Sequence, residues 1–156
     1  MAYKRPQLVA EAFRGLPYRL TMIGVGPLEA ELRRDLPPNV ELRGWLPRTE
    51  LARALGGAEG FVHAAEEDFG IATVEALAAG TPVVALARGG SLDVVRDGTD
   101  GVLVPAPTVE ALRAGIRMVA EGEFDRAGLR RHAEEFGRDR FVAAFGTVVA
   151  TALGSR

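Results

Sequence analysis

The chain has no cysteine, one lysine, two histidines and one tryptophan in 156 residues, and each scarcity removes a class of chemistry. Without cysteine there is no disulfide and no thiolate metal site. The two histidines, His63 and His132, are isolated from one another and form no metal-ligand cluster, so no metal is expected. Uncharged apolar runs stop well short of the about 18 residues that a membrane-spanning helix needs. No basic leader followed by an apolar segment opens the chain, and the expectation is a cytoplasmic domain without a membrane span. An excess of one charge is also lacking. Basic and acidic residues number 19 and 21 and are interspersed, for a net charge of −2, which argues against a nucleic-acid surface. Eighteen of the basic residues are arginine, a bias that reads as genome composition rather than function, and Lys4 is the only lysine.

What is present is apolar residue in quantity, 47% of the chain, enough to build the core of one domain over residues 1–156. Helical patterns alternate with short β-rich runs. Helices are expected over Pro6 to Phe13, Leu28 to Arg34, Thr49 to Leu55, from Gly70 to Gly80, near Leu92 to Val95, and over about 108 to 120, 125 to 136 and 138 to 153. Strands are expected at Tyr18 to Ile23, Val40 to Leu42, Gly60 to His63, Val83 to Leu86 and Val102 to Val104. This βα series implies an α/β fold, a Rossmann-like parallel sheet with helices on both faces that binds its ligand at the carboxyl ends of the strands.

Residues 66–90, EEDFGIATVEALAAGTPVVALARGG, carry the most information. Glu67 and Glu75 stand eight positions apart across a loop-to-helix junction opened by Gly70. Ile71, Val74, Leu77 and Ala78 have helical spacing; Gly80 stops the helix, and Val83 to Leu86 form a wholly apolar run suited to a strand buried on both faces. The first amides of a helix lack internal partners and attract an anion, and Gly70 has no side chain to keep a phosphate from the amides of Ile71 and Ala72. The two carboxylates would repel that phosphate, so their natural partners are neutral hydroxyls on either side of it. A phosphate flanked by hydroxyls describes a nucleotide sugar.

The run Glu67-Asp68-Phe69-Gly70-Ile71, Val74-Glu75-Ala76-Leu77, Gly80-Thr81-Pro82-Val83 and Gly89-Gly90 resembles the donor-binding motif of the retaining, metal-independent glycosyltransferases of the GT-B fold, in the large Glu-x7-Glu family (group 1, family 4). The resemblance covers nearly the whole chain. It implies one half of a GT-B fold, with Glu67 beside the transferred sugar near the reacting carbon and Glu75 on ribose hydroxyls. The amides after Gly70 would hold the diphosphate, and Lys4, at the family's tyrosine-lysine step, would donate to it. No cofactor is implied beyond the substrate, a nucleoside diphosphate sugar. In the family that step follows a first strand carrying an arginine, and an N-terminal domain binds the acceptor. Neither precedes Tyr3-Lys4 here, so the chain reads as a C-terminal half, either a shortened gene product or a piece of a longer chain, whose partner is the absent domain.

Other positions carry weaker signals. Gly24-Val25-Gly26-Pro27-Leu28-Glu29 invites a dinucleotide fingerprint, which fails at Glu29; a tight βα turn lining the donor cleft fits better, and Gly24 is placed there. Trp45 and Leu46 fall in the loop that runs past the nucleotide base in the family, although a lone tryptophan also packs under loops. Gly89 and Gly90 would let the chain approach donor sugar or phosphate, or form an ordinary turn. Asp93 stands where many family members have glutamate. His63 reads as structural and His132 as solvated. Phe136, Phe141, Phe145 and Val148 give the last helix an apolar face, part of it exposed for self-association if the partner domain is absent. Two rival readings stay open: a non-catalytic nucleotide-binding or assembly module working with a separate partner, and a nicotinamide-dependent Rossmann enzyme, disfavoured by Glu29.

Overall fold

A computed structural model describes residues 2–154. Among these residues five strands, β1 (Leu20–Ile23), β2 (Val40–Arg43), β3 (Phe61–His63), β4 (Val83–Leu86) and β5 (Gly101–Val104), alternate with eight α-helices. These are α1 (Pro6–Phe13), α2 (Glu29–Leu32), α3 (Arg48–Gly56), α4 (Ile71–Ala78), α5 (Ser91–Val94), α6 (Val109–Glu121), α7 (Arg126–Ala133) and α8 (Arg138–Gly154). Every strand pair is parallel, as the βα alternation requires. The expected single sheet is instead two: β1 pairs with β2, and β3, β4 and β5 form a second sheet in that order. Among the described residues no ladder joins one sheet to the other.

The core explains why the two sheets hold together all the same. β4 is buried on both faces, with Val84 and Leu86 in a cluster on one side and Val83 and Ala85 in a cluster on the other. The first cluster adds Val9, Ala12 and Phe13 of α1, Leu112, Ile116 and Val119 of α6, Val102 and Val104 of β5, and Val40 of β2, with Leu20 and Met22 of β1 packed against it. One apolar layer thus spans both sheets. The second cluster joins Ala76 and Leu77 of α4 to Val94 and to Leu129 and Ala133 of α7.

Local chemistry sets the element ends. Thr108 caps α6 by accepting from the Ala111 amide at 3.2 Å. The α1 end is closed by two side chains from elsewhere: Arg113 donates to the Glu11, Ala12 and Arg14 carbonyls, and Asn39 to those of Phe13, Leu16 and Tyr18. Two expected elements come out shorter. The helix expected over Leu28 to Arg34 is α for four residues and tightens to a 3-10 turn at Arg33–Asp35, and the one expected over 125 to 136 does the same at Glu134–Phe136.

Candidate functional site

The site is built at the carboxyl end of β3. After His63 the chain passes the buried Ala64 and Ala65, exposes Glu66, Asp68 and Phe69 while keeping Glu67 half-buried, and enters α4 through Gly70. Gly70 has φ 82° and ψ 57°, a left-handed conformation that a side chain would strain. That turn aims the start of α4 at open space. Thr73 and Val74 donate to the Gly70 carbonyl, whereas the amides of Ile71 and Ala72 have no partner among the described residues, and no side chain caps the helix.

Across from these amides lies Lys4, at the end of a 3-10 turn over Ala2–Lys4. Arg5 follows with φ 48°, the only non-glycine residue of positive φ among those described. The kink is held because the Arg5 Nη1 donates to the Ala64 carbonyl at 2.7 Å, tying the start of the chain to the end of β3. Lys4 Nζ then reaches Glu67 Oε1 at 2.9 Å, while His63 Nε2 stands 3.7 Å from Glu67 Oε2. Tyr3, Lys4, Glu67, Gly70, Ile71, Ala72 and Glu75 all line one open cleft of about 630 Å³, with Glu66, Asp68 and Phe69 at its border.

The charges are coupled. Pairing with Glu67 holds the Lys4 ammonium above its ordinary range, against some loss from burial. Burial by itself would raise the Glu67 carboxyl, but Lys4 and His63 outweigh it and bring it below the usual value. His63 is held low chiefly by burial; Glu67 opposes this and Lys4 adds to it. The site at rest pairs the Lys4 ammonium with the Glu67 carboxylate, beside an imidazole whose protonation burial disfavours. Among the described residues, no group of three or more acidic or histidine side chains is placed to hold a metal ion.

Residues 1–140 match the family model of the glycosyl transferases group 1. The chain belongs to the group 1 glycosyl transferases. It is 43% identical over 131 residues to the D-inositol 3-phosphate glycosyltransferase of Geodermatophilus obscurus, an overlap covering 81% of this chain and 27% of that protein. It is 34% identical over 135 residues to the phosphatidyl-myo-inositol mannosyltransferase of Mycolicibacterium smegmatis, covering 83% of this chain and 34% of that one. The group 1 chain therefore spans about a third or less of the length of these curated relatives. In fold it is similar to the lipopolysaccharide outer core galactosyltransferase WaaB, with TM-score 0.82, 17% identity, and 96% of this chain and 45% of that one covered. The pneumococcal O-GlcNAc transferase GtfA gives TM-score 0.74 and 23% identity, covering 94% of this chain and 32% of GtfA. These neighbours are GT-B glycosyltransferases, and the fold is the α/β, parallel-strand architecture read from the sequence.

Within this group 1 domain, six of the residues singled out in the sequence come together in the cleft: Lys4, Glu67, Gly70, Ile71, Ala72 and Glu75. Gly24, Trp45 and Leu46 follow β1 and β2 and are not part of its lining; Trp45 is 72% exposed and packs under no loop. Gly89 and Gly90 approach protein rather than open space. The Gly90 amide donates to the Glu67 carbonyl at 2.8 Å, and a Cβ at either glycine would collide with the Glu67–Phe69 backbone. They brace the loop that carries Glu67. His132 corrects an expectation: it is 8% exposed, with Nε2 3.0 Å from the Val94 carbonyl and 3.4 Å from Asp100 Oδ2. Its ring meets Phe136 edge-on, and Phe136 meets Phe69 in the same way. Tyr3 was passed over as a site residue, and its place beside Lys4 in the tyrosine-lysine step was the available signal.

Proposed function

We propose that this domain binds the donor of a retaining glycosyltransferase, which moves a sugar from a nucleoside diphosphate carrier to an acceptor hydroxyl without a metal ion or other cofactor. The observation that carries the reading is the pair of unpartnered amides at Ile71 and Ala72, facing a cleft that also holds Lys4, Glu67 and Glu75. A diphosphate suits the amides and the ammonium; sugar and ribose hydroxyls suit the two carboxylates. The GtfA structure contains UDP and GlcNAc, a ligand class of the same chemistry.

In the transfer, a bond forms between the sugar's anomeric carbon and the acceptor oxygen, and the bond from that carbon to the diphosphate oxygen breaks. The α4 amides, fixed in advance, meet the negative charge that gathers on the leaving diphosphate with little reorganisation, and Lys4 joins them from its pairing with Glu67. Glu67 orients the sugar. The acceptor is held by an N-terminal domain, on the cytoplasmic side, so this domain alone does not transfer sugar.

The test is the thermal stability of the purified domain with UDP, GDP, ADP and NAD, repeated on Glu75→Ala. A ligand at 100 times its dissociation constant adds about 2.7 kcal/mol. The expected result is a shift with one nucleoside diphosphate that is lost in the variant. Preference for NAD, or sugar transfer to any acceptor by the domain alone, would overturn the proposal.

A further inference from the structure

Three groups compete for one another around Glu67. Its Oε1 is ion-paired with Lys4 at 2.9 Å but, like His63 Nε2, lacks a well-aligned hydrogen bond, and its Oε2 faces His63 Nε2 at 3.7 Å, roughly half an ångström beyond a good one. His63 Nε2 is buried and has no hydrogen-bond partner, on a side chain only 8% exposed. A buried ring nitrogen without a partner is costly and uncommon. Phe61 stacks on this ring with centroids 6.1 Å apart and offers no hydrogen bond. The remaining nearby cation, Arg5, is committed to the Ala64 carbonyl.

We propose that the Lys4–Glu67 pair is the resting contact of the unliganded site, and that His63 is the positioning residue that takes up the Glu67 carboxylate when Lys4 turns to an anion. The inference rests on the donor-site reading above. An anion at the Ile71 and Ala72 amides draws the Lys4 ammonium and repels the Glu67 carboxylate. Away from Lys4, Glu67 faces two donors, the Tyr3 hydroxyl on the same turn as Lys4 and the buried imidazole, and a small rotation closes the 3.7 Å gap to the imidazole Nε2–H. A neutral ring suffices, since it can still donate through Nε2. Glu67 then stays fixed beside the sugar instead of swinging free, and the unliganded cleft does not leave a carboxylate unpaired next to a phosphate site.

Because the chain has only His63 and His132, nitrogen-15 labelling of histidine gives two ring systems, the second an internal control. The ligand-free measurement compares the native protein with Lys4→Ala. The His63 ring nitrogens are expected to shift as the carboxylate moves onto Nε2, with His132 unchanged. The second measurement titrates inorganic pyrophosphate, a probe without base or sugar, and expects the same displacement of the His63 signals on binding. His63→Leu removes the alternative partner and is expected to weaken pyrophosphate by up to about five-fold, while His63→Gln, which keeps a donor, recovers most of that loss. A His63 ring that stays put both in Lys4→Ala and with pyrophosphate bound would overturn the proposal, as would equal affinity of the leucine and glutamine variants. Failure of pyrophosphate to bind the native protein would overturn the donor-site reading instead, and the ligand-free comparison would then decide the histidine's role by itself.

Discussion

Two carboxylates in this chain are taken from water, and they are used differently. Glu67 stays partly open to a cleft, whereas Asp100 is fully buried and serves the fold. The Arg96 amide, Nε and Nη2 donate to Asp100 at 2.9, 2.8 and 2.7 Å, and His132 approaches it from α7. Burial alone would raise the Asp100 carboxyl; the Arg96 hydrogen bonds outweigh it, so the folded value lies below the ordinary 3.8. A depressed folded pKa means that the stabilisation is complete above the ordinary value and is lost as pH falls through the folded one. Asp100→Asn is therefore expected to lower stability at neutral pH by about 2 kcal/mol and to flatten the acid side of the profile, as read by urea unfolding at a series of pH values. An unchanged acid slope would place the acid sensitivity elsewhere. The sequence hid this cluster. His132 sits among Arg130, Arg131, Glu134 and Glu135, and only the packing of α7 against Val94 turns its ring inward. The arginine excess, read as composition, includes Arg5, Arg96 and Arg113, each of which satisfies particular buried or helix-end groups.

At the scale of elements, α6 shows why periodicity was a good guide. Leu112, Gly115, Ile116 and Val119 face inward at steps of three and four. Gly115 is where the helix comes closest to the sheet: a Cβ there would lie 2.8 Å from the Val84 and Val104 methyl groups. Gly115→Val is expected to cost about 1–3 kcal/mol through overpacking, and Thr108→Ala about 1 kcal/mol through the lost cap. Thermal unfolding of both variants checks this; a Gly115→Val protein as stable as the native one would mean that the helix can move out freely. The same periodicity made α1, α4 and β4 legible, since each is apolar enough to announce its buried positions. It overran at Arg33–Asp35, where no apolar residue pulls the turn inward, and it could not show that the strands divide into two sheets, because edge pairing depends on neighbours distant in sequence. The cleft was legible for a different reason. Four of its lining residues, Gly70, Ile71, Ala72 and Glu75, are local to one junction, while His63 meets Glu67 only through the geometry of the loop.

Across the whole molecule, the least satisfied surface is α8. None of its residues is buried, and Phe141, Val142, Phe145, Val148, Val149 and Leu153 are all exposed, with Phe141 and Phe145 stacked on each other at 5.7 Å. An apolar face of this extent favours association in water. Sedimentation of the isolated domain is expected to depend on concentration, and the double variant Phe141→Ser, Phe145→Ser to sediment as a monomer at every concentration; a native protein that is monomeric throughout would set the expectation aside. The divided sheet has a different consequence. The loops that carry Gly24, Trp45 and Leu46 ride on β1 and β2, whereas Glu67 and Gly70 ride on β3, and among the described residues no strand ladder ties one set to the other. Hydrogen bonds between strands fix register atom by atom, but oily contact does not. The two groups of loops are therefore held relative to one another by the shared apolar layer and not by a hydrogen-bonded register.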